Sequence, residues 1–167
     1  MEANVRLYTF NYDEAKTYLW TMAFLVCNMV LPQLFHLIPQ GGVIFAPLSF
    51  VILAGAYKFG WKTGLLAALL SPFINHVLTG MPTMAVLPVM TLKLAVIALV
   101  AGLTAQHFKT VNLPLLIAVV LVSEALGALG ELLLTGGITA TVADFTIGWP
   151  GLLLQVIGSW LILTKLK

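Results

Sequence analysis

The stretch VNLPLLIAVVLVSEALGALGELLLT, residues 111–135, decides how the chain is read. It is longer than the ~20 apolar residues that carry a helix across a bilayer, and its only charges are Glu124 and Glu131. An ionisable group inside a span costs about 2.5 to 3.5 kcal/mol at the helix centre on insertion scales, so its position is informative. Glu124 and Glu131 are seven residues apart and share one helix face, with Gly127 and Gly130 close to it.

The rest of the chain has the same character. Of 167 residues, 60% are hydrophobic and 8% charged, and the mean hydropathy is +1.05. A soluble domain carries roughly 25% charge, so this chain has too few charges to cover a surface in water. The sequence predicts an all-α integral membrane protein, with residues 1–14 as an interfacial segment and 15–167 as a single membrane domain. The first apolar run follows an acidic, aromatic segment and has no secretory cleavage signature. The length allows at most about seven spans and little outside them. No GxxxxGK[ST] or GxGxxG occurs, so energy for any transport is expected from an ion gradient or another subunit. Cys27 is the single cysteine, and no CxxC or HExxH suggests redox or zinc chemistry. Neither an enzyme nor a resident cofactor is expected, and His36 with His76 as metal ligands is a minor alternative.

Six apolar segments can be drawn, at roughly 15–38, 40–58, 60–79, 85–106, 111–135 and 139–164, joined by short turns rich in Gly and Pro. With the N-terminus inside, Arg6, Lys16, Lys58, Lys62, Lys109, Lys165 and Lys167 all fall on the cytoplasmic side. The outer connections then hold no Lys or Arg, the asymmetry of the positive-inside rule. Six spans in a cytoplasmic (inner) membrane with both termini cytoplasmic are therefore predicted.

Under that topology every strongly polar residue within the spans lies at mid-depth or further out: His36, Asn75, His76, Lys93, Glu124, Glu131 and Asp144. Seven of the eight prolines lie in the outer half as well, and irregular backbone at membrane depth survives only where it is buried or lines a cavity. The outer half reads as a polar-lined cup and the inner half as a plain apolar bundle. Trp149, with Phe35, Phe45 and Phe145 at similar depth, is placed to stack on a ring, although aromatics at that level also form interfacial belts. The polar residues have structural readings too. Lys93 can pair internally with Glu124 or Glu131, His76 and Asn75 can bond loop backbone, His36 can be interfacial, and Asp144 can cap the last span. Gly60, Gly64 and Ala68 form a small-residue ladder suited to packing within the chain. Ala15, Ala23 and Cys27 form a shorter one on the first span that can face another subunit.

Three pieces of the first half form a more specific pattern: PQLFHLIPQGG (32–42), FAPLSFVILAG (45–55) and GWKTGLLAALLSPFINHVLTGMP (60–82), followed by LPVM (87–90). In these pieces the chain resembles the substrate-binding S components of energy-coupling factor vitamin transporters. Related sequences tend to carry an acidic residue after the LPVM-like segment, where this chain has Lys93. The resemblance implies six helices that bind a vitamin or precursor from outside. It also implies a partner module of one coupling membrane subunit and two ATPase subunits, with ATP used only by those partners. On that reading the cup is built from His36, Asn75, His76, Lys93, Glu124, Glu131, Asp144 and Trp149, the turns 39–42 and 80–82 act as lids, and Ala15, Ala23 and Cys27 meet the partner. Two other classes stand beside it, an autonomous ion-coupled carrier and a structural membrane protein similar to the cell-shape protein MreD. Three carboxylates against one lysine and two histidines favour a neutral, zwitterionic or cationic ligand.

Overall fold

A computed structural model describes residues 7–35 and 37–165, and no strand forms among them. The helices are α1 (Ala15–Phe35), α2 (Gly41–Phe45), α3 (Pro47–Phe59), α4 (Trp61–Thr79), α5 (Leu87–Phe108), α6 (Leu113–Thr135), α7 (Thr139–Thr146), α8 (Trp149–Leu153) and α9 (Ser159–Lys165). A π-helical turn, Leu154–Gly158, joins α8 to α9. Proline stands in the first turn of α3, α5, α6 and α8, where its missing N–H is not needed. The side chain of Asn112 caps α6 by accepting from Leu115 N at 2.9 Å. Gly80 and Gly136 end α4 and α6 in the left-handed conformation.

Four segments are long and apolar enough to cross a membrane: α1, α2 with α3 (Gly41–Phe59), α5 and α6. A fifth is added if α7 and the helix from Trp149 to Lys165 count as one broken span. The expectation of one continuous segment over 139–164 is corrected here, because α7 meets the following helix at 74°. Ile147 and Gly148 make the break, with Pro150 immediately after it. The second segment is also divided, at Ala46, whose φ of 41° and ψ of 55° put a residue with a Cβ in the left-handed region. α4 is not among the four, since Lys62, Asn75 and His76 lower the hydropathy of its 19 residues.

α5 is the central helix and packs on α3, α4 and α6. The core is apolar: Ile52, Leu53 and Ala56 of α3, Ala67 and Ala68 of α4, Leu94, Ile97, Ala98 and Ala101 of α5, Leu116 of α6. Gly64 lets α3 and α4 approach closely, since a Cβ there would lie 2.9 Å from Ala56 Cα. The Gly60, Gly64 and Ala68 ladder thus packs inside the chain, as expected.

α1 is held to α4 by a polar seam. Thr21 Oγ1 donates to Thr63 O at 3.4 Å, Asn28 Nδ2 donates to Ser71 Oγ at 2.8 Å, and Asn75 Nδ2 donates to Asn28 O at 3.0 Å and, within α4, to Ser71 O at 2.9 Å. The opposite side of α1 is exposed and includes Ala15, Ala23 and Cys27 together with Leu19, Met22, Val26 and Val30. At the N-terminal end of α1, Tyr8 N donates to Lys58 O at 2.8 Å, and the Trp20 ring stacks on Phe59 with centroids 3.9 Å apart.

The helix directions separate two ends of the bundle. Lys16, Lys58, Lys62, Lys109 and Lys165 lie at helix termini of one end, and α2, α7 and the turns around 37–40 and 80–86 lie at the other. Arg6 and Lys167 lie outside the described residues.

Close packing of α5 on α4 gives the first prediction. A Cβ at Gly102 would fall 2.5 Å from Trp61 Cα, whereas one at Gly137 would meet nothing within 4 Å. Gly102→Ala should cost about 1–3 kcal/mol, as overpacking does, and Gly137→Ala should be close to neutral, both read as thermal unfolding of the purified chain in detergent. Equal stabilities for the two variants would contradict this packing.

Candidate functional site

A cavity of about 720 Å³ opens at the end of the bundle away from the lysine-bearing termini. Its walls come from the 38–43 turn, the start of α3, the C-terminal end of α4, α5, α7 and the π-helical turn. Most lining groups are apolar, among them Pro47, Leu48, Val89, Met90, Leu94, Ile97 and Leu152, and the polar ones include Asn75, Lys93, Glu124, Asp144 and Gln155. Volume and lining both suit a small organic molecule.

One wall is fixed by Lys93. Its Nζ donates to Asp144 Oδ2 at 2.7 Å and to Thr141 Oγ1 at 2.9 Å, and lies 3.4 Å from Glu131 Oε2. An ammonium has three N–H donors, and Asp144 and Thr141 accept two of them. Gly127 makes room for the side chain, since a Cβ there would press on Lys93 Cγ at 3.1 Å. Glu131 is 1% exposed. Its Oε1 accepts from Ala140 N at 2.6 Å, and its Oε2 accepts from Thr141 N at 2.9 Å and Thr141 Oγ1 at 2.8 Å. A carboxylate on α6 therefore caps the N-terminus of α7, where free amides and the helix dipole favour negative charge. The cap comes from Glu131; Asp144 lies further along α7 and reaches Lys93 instead.

The sequence candidates fall into three groups. Asn75, Lys93, Glu124 and Asp144 line the cavity together. Asn75 spends its amide N–H groups on Asn28 O and Ser71 O. Glu131 lies behind Lys93, fully engaged by α7, and the half-buried His76 donates through Nδ1 to Pro82 O at 2.8 Å. Trp149 is 56% exposed and is not part of the lining, and His36 lies outside the described residues. Phe35 and Phe45 stack on each other with centroids 4.8 Å apart, and Phe145 is exposed. Lys93 pairs with Glu131, as one internal reading anticipated, and with Asp144, which that reading did not name.

Gln155 was not among the candidates. It is 1% exposed and lines the cavity. It sits in the π-helical turn, a distortion often found at functional sites because it redirects side chains. The only sequence cue is one amide in an otherwise apolar run, GLLLQVIG (151–158). Two residues of the cavity rim, Gln40 (φ 58°) and Ala46 (φ 41°), hold left-handed backbone without being glycine.

No protein family, no curated protein and no solved structure matches this chain.

The Lys93 contacts predict a strong coupling. Lys93→Met leaves Asp144 and Glu131 without their cation and should cost about 2 kcal/mol or more. Adding Asp144→Asn should recover part of that loss, with a coupling of about 1 kcal/mol or more in the double-mutant cycle. Strictly additive unfolding free energies would show that the bridge carries no stability.

Proposed function

We propose that this chain is the membrane-embedded, solute-binding subunit of an energy-coupling factor type importer. It captures a small water-soluble vitamin or precursor from outside, and uptake is driven by a coupling membrane subunit and two ATPase subunits. In this reading the helices make six passes with both termini cytoplasmic, α4 and the broken α7–α9 segment included.

The cavity is the observation that carries the proposal. It combines an apolar lining with buried polar groups at one end of the bundle, and the lysine-bearing termini lie at the other. By the positive-inside rule the lysine end is cytoplasmic, so the cavity opens outward. The turns around Pro39 to Gly42 and Met81 to Pro82 lie on its wall, where lids are needed. The exposed face of α1 with Ala15, Ala23 and Cys27 is available to the coupling subunit.

The composition of the core argues against the ion-coupled carrier. A carrier needs ionisable groups along a path to the inner face, and below the cavity the α1–α4 seam holds neutral Thr17, Thr21, Asn28, Thr63 and Ser71 while the α3–α5–α6 interior is Ile52, Leu53, Ala56, Ala98, Ala101 and Leu116. A purely structural protein has no use for a large cavity with buried polar walls.

Two measurements test the proposal together. The purified chain should bind one member of a panel of radiolabelled vitamins without any partner, and cellular uptake of that compound should stop when the ATPase module is deleted. Proton-driven transport by the isolated chain in vesicles would overturn it. If Lys93 serves only as the internal bridge, Lys93→Met should leave the affinity of the folded fraction within a few-fold; a loss above tenfold would place its ammonium on the ligand.

A further inference from the structure

Among the polar groups that line the cavity, Lys93 and Asn75 turn their N–H bonds to protein acceptors, whereas two buried acceptor atoms are unpaired among the described residues. Lys93 donates to Asp144 Oδ2 and Thr141 Oγ1 and pairs with Glu131 Oε2 at 3.4 Å. Asn75 gives its N–H bonds to Asn28 O and Ser71 O. The acceptors differ. Glu124 is 6% exposed and Gln155 1% exposed, and among the described residues neither Glu124 Oε2 nor Gln155 Oε1 has a hydrogen-bond partner. The two come from α6 and the π-helical turn, which pack against each other, and both line the cavity. Asp144 uses Oδ2 on Lys93, and no hydrogen bond to its Oδ1 occurs among the described residues.

Buried polar atoms are nearly always paired, and a lone carboxylate in a low-dielectric wall is costly. Packing alone gives no reason to keep two such acceptors beside one cavity. The charges point the same way. One ammonium faces three carboxylates, Glu124, Glu131 and Asp144, and it is already bonded to two of them. A cation with N–H groups would pair Glu124 and offset the excess negative charge. An anion would meet the carboxylates of Glu124 and Asp144 across the same cavity.

We propose that Glu124 and Gln155 form the recognition subsite of the cavity, and that the ligand is a small cation with N–H donors, such as an amine, amidine or amino-heterocycle. This rests on the reading of the chain as a solute-binding subunit and narrows the charge of its ligand. Glu124 supplies the counter-charge and Gln155 an additional acceptor, while the apolar groups of α3, α5 and α8 hold the ring or chain that carries the cation.

The test uses the full chain in lipid nanodiscs and five defined probes: thiamine and pyridoxamine, which carry cationic or amino nitrogen, riboflavin as a neutral compound, and biotin and pantothenate as anions. Binding is measured by calorimetry. At least one of the first two should bind, and the anions should not. Glu124→Gln, which keeps shape and removes charge, should weaken that binding at least tenfold, and Gln155→Leu should weaken it several-fold. Thermal unfolding of each variant identifies folded protein, and either variant alone suffices if the other fails to fold. Binding of biotin, pantothenate or riboflavin with an affinity that Glu124→Gln leaves unchanged would overturn the ligand class and leave the binding-subunit reading standing. Binding of none of the five would overturn both.

Discussion

The rest of the site depends on the bonding of one ammonium group. In hydrocarbon a lysine without partners would be costly, and the chain resolves this by surrounding Lys93 of α5 with Glu131 of α6 and with Thr141 and Asp144 of α7. The same Glu131 caps the N-terminus of α7. Three helices are thereby joined at one point, and α7 is held across the end of the bundle at 74° to the helix that follows it. Without that anchor an eight-residue helix that buries only Thr141 would have little to keep it in place. The α7 side of the cavity is thus held by charge pairing more than by apolar packing.

Much of this was legible in the residues. The scarcity of charge identified a membrane chain, and the depth of Lys93, Glu124 and Asp144 brought together three groups that do line one cavity. The small ladder at Gly60, Gly64 and Ala68 packs internally because Gly64 faces Ala56. Other features required the fold. Hydropathy treats 139–164 as one segment, because the break at Ile147 and Gly148 barely alters the average. Glu131 and Glu124 share a helix face and look equivalent in sequence, yet one is saturated by the amides of α7 and the other leaves Oε2 unpaired among the described residues. That difference arises from where a later helix docks, which spacing on α6 does not encode. Gln155 escaped for a related reason, since a π-helical turn alters which residues of an apolar run face inward.

The two ends of the bundle do different work. At the lysine end the helices close on small and branched apolar residues, and the segment around Tyr8 to Phe10 is bound to the end of α3. At the other end, proline, left-handed backbone and a broken helix leave space, and the polar side chains gather around it. Such a division suits a protein that receives a solute on one side and hands it on only when a partner moves it.

The central claim is that the cavity faces the outside and holds a solute. Ser49 is half-buried and lines it, and Cys27 is the single cysteine, so a Ser49→Cys substitution in a Cys27→Ser background places one thiol on its wall. A membrane-impermeant thiol reagent should label this residue in intact, right-side-out cells, and a bound solute should protect it. Labelling only from the cytoplasmic side of inverted vesicles would contradict it.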